Sequence, residues 1–325
     1  MIGRVLALVR FELAKLLSRR FTWIGIVLVL AAAGLAPFLG SVAAKAEALS
    51  RGRSGHADEF QNAWTALASG LYYGVSVLTF VLLILAGSSV AEEAQQGTLK
   101  TLFLRPVRRV EVLLAKKLAL SVFACALVFL MTGVAAAVGA RSGAALVAKR
   151  QARVDEAKIA LTQAPDEDAR NDARTELADA EREVERRGTD WYPDVSPEKT
   201  ARVMLEYSVV AVFLTLPGLF ALVGLGLLVS AAIDHPGHGT GVTFGIWFLL
   251  SALSSIFDKA AWSPWVFVRY VSFPFERLEW IGEAIGSASK ELRAAAPQTV
   301  GVPLASAAVF FIGAALLLRV RDLSD

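Results

Sequence analysis

Six stretches of this chain contain no Asp, Glu, Lys or Arg: residues 21–44, 60–91, 118–140, 207–233, 235–257 and 294–318. Each is longer than the roughly 20 helical residues that cross a hydrocarbon core. A helix buried in a water-soluble domain rarely runs so far without a charge, so the pattern predicts an all-α integral membrane protein of six spans. Alternation of period two is missing, which excludes an outer-membrane barrel. Ala44-Lys45-Ala46 resembles a signal cleavage site, but the apolar run before it is too long for a secretory signal and twenty residues precede that run. An uncleaved span is expected there.

Charge is informative through its placement. The net charge of +3 is small and dispersed, which points away from nucleic acid. If the N-terminus is inside, the short segments carry 13 Lys and Arg on the cytoplasmic side against eight outside. Twelve more lie between the third and fourth blocks, in a loop longer than the ~60 residues over which the positive-inside rule holds. Both termini are therefore expected in the cytoplasm, in a plasma membrane or bacterial inner membrane.

The chain divides into four parts. In residues 1–20, Ile2, Val5, Leu6, Val9, Leu13, Leu16 and Leu17 form one apolar stripe with Arg4, Lys15 and Arg19 off it. That pattern predicts a helix lying in the membrane interface against lipid headgroups. Spans one to three follow over 21–140, with a charged cytoplasmic loop at 92–117. Residues 141–206 read as an extracytoplasmic, coiled-coil-like hairpin. Val147, Val154 and Leu161 recur every seven residues with Ala157 between them, and Leu177, Ala180 and Val184 resume the pattern beyond the turn "QAPDED". Trp191 and Tyr192 suit the interface on the way back. Residues 207–325 hold spans four to six, with an aromatic outer loop at 258–293 expected to form short interfacial or partly re-entrant helices.

Within the spans, Pro217 predicts a kink, and Gly224 and Gly226 a close approach by a neighbour. Gly241 and Gly245 have the spacing of a small-xxx-small packing face. The lack of charge in every span counts against ion-coupled carriers and voltage sensors. No GxxxxGK[ST], HExxH or GxSxG occurs, so the chain reads as a non-enzyme with no nucleotide site of its own. Cys125 is the single cysteine, so no disulfide framework exists. Asp234, His235 and His238 in "DHPGH" read as a polar turn rather than a metal site.

The stretch "EEAQQGTLKTLFLRPVRRVEVLLAKK", residues 92–117, concentrates six basic residues and three glutamates between two apolar blocks. Gly97 frees a turn before Thr98, which caps a short helix whose apolar face is Leu99, Leu102 and Phe103. Arg105 is steered out of the helical region by Pro106, which ends it. Pro106 suits the first turn of the next helix, continued by residues 107–117 into span three.

This stretch resembles the signature region of the ABC-2 type permeases, the membrane subunits of ATP-binding-cassette exporters. Their pattern runs roughly E-x-E-x-G-T-L-E-x-L-L-x-x-P-v-x-R-x-e-x-x-x-x-K. Glu93, Gly97, Thr98, Leu99, Leu102, Pro106, Val107, Arg109, Glu111 and Lys116 match it. The opening "LVRFELAKLLSRRFTW" is similar to the elbow helix of that family. Two features depart from it: Lys100 stands where an acidic residue is common, and the hairpin between spans three and four is unusual.

The resemblance implies an ABC ATPase partner, with ATP and Mg bound there and no cofactor in this chain. It also implies a second permease copy, as a homodimer or a homologous heterodimer. Residues 98–109 would be the coupling helix, with Glu92 and Glu93 at its root. Leu99, Leu102 and Phe103 would seat in the ATPase, and Arg105, Arg108 and Arg109 would pair with its acidic rim. An extracytoplasmic protein at 144–187 would be the partner of a mechanical variant of this machine, and membrane lipids surround the spans. Hydrophobic or amphipathic cargo suits the uncharged spans. The alternatives are a non-transporting scaffold or sensor whose hairpin binds a partner, and an ATP-independent secondary carrier.

Overall fold

A computed structural model describes residues 2–50, 63–97, 108–186, 197–257, 259–280 and 285–320. Among these the chain is α-helical apart from one 3-10 turn. The elements are α1 (Ile2–Ser18), α2 (Arg20–Ser50), α3 (Ala63–Gln95), α4 (Arg109–Gln163), α5 (Glu167–Arg186), α6 (Pro197–Ala232) and α7 (Pro236–Ile256). The 3-10 turn (Ser263–Trp265), α8 (Arg269–Trp280) and α9 (Ile285–Val320) complete them.

Five of these helices carry segments long and apolar enough to cross a membrane, those of α3, α4, α6, α7 and α9. A sixth appears only if α1 and α2 are taken as one broken pair, bent by 77°. The bend sits at Arg19. The indole of Trp23 donates to the Leu17 carbonyl at 2.8 Å, and the Ser18 hydroxyl donates to the Lys15 carbonyl at 2.8 Å. Both carbonyls belong to the last turn of α1, where no intrahelical donor remains.

Two compact units emerge. The first comprises residues 1–32, 72–131 and 210–325. Its core lies along α3 and α6, where Val75, Leu78, Leu82, Leu85, Leu219, Leu222 and Val223 are all essentially buried. By contrast α7 and α9 turn large apolar side chains outward, including Phe248, Leu249, Val309 and Ile312. Lipid tails solvate such surfaces, so a span does not need to bury them against protein.

Small residues set the helix spacing in this unit. A methyl group on Gly226 of α6 would collide with Ala86 of α3. One on Gly239 of α7 would lie 2.5 Å from the Gly87 carbonyl, and one on Gly87 2.8 Å from the Thr243 hydroxyl. A methyl group on Gly224 would lie 3.3 Å from Phe310 and 3.4 Å from the Ala307 carbonyl of α9. Gly226 and Gly224 thus sit where neighbouring helices come close. Among the described residues Gly241 and Gly245 meet nothing within 4 Å. The face of α7 that packs on α3 lies two residues earlier, at Gly239 and Thr243. Pro217 is accommodated inside α6.

The second unit comprises residues 33–71 and 132–209. Gly70 of α3 lies against the Ala33 carbonyl and Ala135. The turn expected at "QAPDED" is found between Gln163 and Glu167. The Asp166 carboxylate accepts from the Ala169 amide at 2.9 Å, capping α5. Val154, Ala157 and Ala173 are buried, whereas Val147 is 45% exposed, so the apolar seam covers only part of the hairpin. The hairpin's first helix is no separate element: residue 141 falls inside α4, 55 residues long and about 80 Å at 1.5 Å per residue. Nothing in "GARSGAALVAKR" can interrupt it, because it holds no proline and only isolated glycines. Trp191 and Tyr192 lie outside the described residues.

In the outer loop, the 3-10 turn and α8 are the short elements formed. The Tyr270 hydroxyl donates to the Pro264 carbonyl at 2.7 Å, and Arg269 donates to the Ser263 hydroxyl at 3.0 Å. Phe275 is fully buried and α8 packs on α9.

Candidate functional site

At the end of α3 where the charged loop begins, four charged side chains from three helices meet, three of them buried and Lys15 part-exposed. Lys116 of α4 is 3% exposed and Glu93 of α3 5%. The Lys116 ammonium donates to both oxygens of Glu12 at 3.0 Å and to Glu93 at 2.7 Å, which uses its three donors. Lys15 of α1 also pairs with Glu93. Among the described residues two cations face two anions, the pairing that buried charge requires. At its rim Arg19 pairs with Glu92 at 2.7 Å. A cavity of about 10 Å³, the room of one water, borders Lys15, Arg19, Ser89 and Lys116.

Helical register explains the convergence. Val5, Val9 and Leu16 of α1 are buried, and Glu12 falls on the same face between them. Leu6, Phe11 and Leu17 are exposed, so the broad stripe read from sequence divides into a protein-facing side and an outward side. Glu12 is the only acidic residue in the first twenty, and its place among buried apolar positions was the available signal for it.

The loop's two anchors are finished locally. Gly97 adopts φ +69°, and its amide donates to the Ala94 carbonyl at 3.1 Å, ending α3 in the left-handed conformation that glycine takes without strain. On the other side Arg108 is the N-cap residue of α4. Glu111, three residues on, accepts from the Arg108 amide at 3.3 Å, one half of a capping box. Among the described residues α4 starts at Arg109, and Val107 lies outside them. Thr98, Leu99, Leu102, Phe103, Arg105 and Pro106 lie outside the described residues.

The two arginines at this start differ. Arg108 is exposed, whereas Arg109 donates to the Leu318 carbonyl of α9 at 2.7 Å. Lys117 donates to the Ala307 carbonyl of α9 at 2.9 Å and sits 5.0 Å over the Phe311 ring. Neighbouring lysines thus grip opposite sides: Lys116 holds α1 and α3, and Lys117 holds α9. One turn before Glu93, the Ser230 hydroxyl of α6 accepts from the Val90 and Ala91 amides at 2.9 and 3.0 Å. Neither Ser230 nor the Gly87–Gly239 approach was singled out from sequence, because a lone serine or glycine in an apolar helix carries no directional signal.

At the α6–α7 turn, Asp234 and His235 form the polar connection expected there. Pro236 opens α7, and the His235 and His238 rings stand edge to face 5.4 Å apart.

Residues 8–154 match the family described as ABC-2 family transporter protein. Over that stretch the chain is similar to the ABC-2 transporter family. No curated protein matches the chain. ABC-2 proteins are membrane transport subunits that generally work with an ABC ATPase, in keeping with the several apolar helices of this multi-pass chain. All six charges of the cluster and its rim lie inside the matched ABC-2 segment, and so does the whole 92–117 loop.

Proposed function

We propose that this chain is the permease subunit of an ABC exporter and that residues 98–109 are the lever on which a separate ATPase acts. ATP and Mg bind in that ATPase, and two permease copies, identical or homologous, complete the machine. The observation that carries this reading is the position of the buried cluster. Glu93 precedes the loop, Lys116 follows it, and both are bonded to each other and to α1. A load on the loop therefore reaches α1, α3 and α4 together. Breaking a buried pair by removing one partner costs about 3–5 kcal/mol, so the root of the lever holds while the loop moves.

In this reading α1 is the interfacial elbow helix, its outward Leu6, Phe11 and Leu17 meeting lipid, and α2 is the first of six spans. Both termini and the 92–117 segment are cytoplasmic. Leu99, Leu102 and Phe103 seat in the ATPase, and Arg105 and Arg108 face its acidic rim. Arg109 is spent on α9 and acts as a positioning residue. The cargo is hydrophobic or amphipathic. A mechanical output is the second reading, favoured by α4, whose single helix leads from the lever to the turn at 164–166.

Co-expression with a tagged ATPase subunit tests the lever. Leu102→Asp or Phe103→Asp should abolish co-purification of the ATPase while the permease still folds. Undiminished association in both variants would remove the coupling role.

A further inference from the structure

The first unit holds a cavity of about 740 Å³, within the range of small-molecule sites. It lies between α3, α7 and α8, and Thr79 on its α3 wall is about 20 Å along that helix from Glu93 of the charge cluster.

Ser76 and Thr79 of α3 line it, and so do Ser251 and Ser254 of α7. Three of these hydroxyls have committed their protons to their own helix. Ser76 donates to the Tyr72 carbonyl at 2.8 Å, Thr79 to the Val75 carbonyl at 2.9 Å and Ser254 to the Ser251 carbonyl at 2.9 Å. What they keep is lone pairs, so each can take a further bond only as an acceptor. Ser251 departs from this pattern. A helical serine commonly bonds the carbonyl one turn back. The Ser251 hydroxyl oxygen is shielded from solvent and has no hydrogen-bond partner among the described residues. The same holds for the indole N–H of Trp247, four residues earlier on α7 and also in the lining. An indole N–H can only donate, and a shielded donor left so is a standing penalty that an incoming oxygen removes.

The α3 wall therefore calls for donors, and Trp247 calls for an acceptor. A carbonyl or ether oxygen meets only the second demand, and an ammonium only the first. A hydroxyl meets both from one atom. Ser76 and Thr79 are one turn apart, as are Trp247 and Ser251, a separation of about 5–6 Å on a helix surface. One hydroxyl cannot serve both positions of such a pair, whereas several on adjoining carbons can. The apolar part of such a ligand has a route outward. Phe80 lines the cavity, stands edge-on to Trp247 with ring centroids 5.2 Å apart, and is 40% exposed. Phe248 and Leu249 of α7 are more exposed still.

We propose that this cavity binds an amphiphile through a head bearing several hydroxyl groups, with Trp247 and Ser251 as the residues that select it. Recognition is by the hydroxyls, irrespective of any charge the head also carries. The probe is an alkyl glucoside with a diazirine in its alkyl chain, added to the full chain in nanodiscs, and adducts are mapped by peptide mass spectrometry. Two comparison probes share that chain. One is the per-O-methylated glucoside, which keeps the acceptors and loses the donors; the other ends in a single primary carboxamide. Labelling of peptides containing residues 72–80 or 247–255 is read as a ratio to α9 peptides around Val309 and Ile312, whose outward side chains report the probe's level in the bilayer. The glucoside should give a ratio several-fold above both comparison probes. Trp247→Phe, which keeps an aromatic ring and removes the donor, should lower it about fivefold, the size of one ordinary hydrogen bond. Ser251→Ala, a change of one oxygen atom, should lower it as well in protein that stays monodisperse. Equal ratios for the glucoside and either comparison probe overturn the requirement for several hydroxyls. A ratio unchanged in both variants overturns the site. Loss of ATPase association in the lever variants leaves this assay untouched, so the two readings fail separately.

Discussion

Lys116 and Lys15 touch the same glutamate yet should respond differently to mutation. Lys116 is buried and satisfies two carboxylates, so Lys116→Met leaves Glu12 and Glu93 in a dry site with one cation between them. A loss of about 3 kcal/mol is expected, read as a clear fall in thermal unfolding temperature in detergent. Lys15 keeps 28% of its side chain exposed, and Lys15→Gln should cost about 1 kcal/mol or less because water replaces the pair. Gly97→Ala places a Cβ in the left-handed region and should cost about 1–2 kcal/mol, with no clash against any described residue. Gly97 and Lys116 were both legible from sequence as positions of a motif. That Lys116 bonds Glu12 across 104 residues was not, because side-chain partners that far apart are chosen by packing.

Helices in this chain are shaped by a few contacts at their ends and crossings. Trp23→Phe removes the donor to the Leu17 carbonyl at the α1–α2 bend, and the lost hydrogen bond is worth about 1 kcal/mol. The variant should show faster proteolysis or hydrogen exchange near Arg19. Crossings divide the glycines. Gly226→Ala forces α6 off Ala86 and should destabilise by about 1–3 kcal/mol, as overpacking does. Gly241→Ala and Gly245→Ala should leave monomer stability unchanged. Measuring all three variants side by side separates a crossing glycine from one that faces outward. The spacing of Gly241 and Gly245 was equally suggestive in sequence. Only the rotation of α7 about its axis, set by Gly239 against Gly87, decided against them.

For the molecule as a whole, the hairpin is the part whose purpose is least constrained by its packing. Its buried positions are few and mostly alanine, which leaves α5 with a small apolar contact. Deleting residues 144–187 should spare assembly with the ATPase and substrate-stimulated ATP hydrolysis if the chain is an exporter. A mechanical device should lose its envelope output with the same deletion while still binding the ATPase. Reconstituted complexes, assayed for both quantities, distinguish the two.

Hydropathy alone determined that this chain is helical and membrane-embedded, since a backbone in hydrocarbon must satisfy its hydrogen bonds within the segment and charge is expelled from it. The turn at 164–166 and the glycine stop of α3 were equally local, written in residues that dictate their own backbone angles. Tertiary structure decided the rest: which face of α1 is buried, that Glu12 belongs to a buried charge cluster, that α4 runs on through residue 141, and that side chains from α3, α7 and α8 line one cavity. Those features depend on helix rotation and on pairs distant in sequence, and a run of uniformly apolar residues leaves both open until the helices pack.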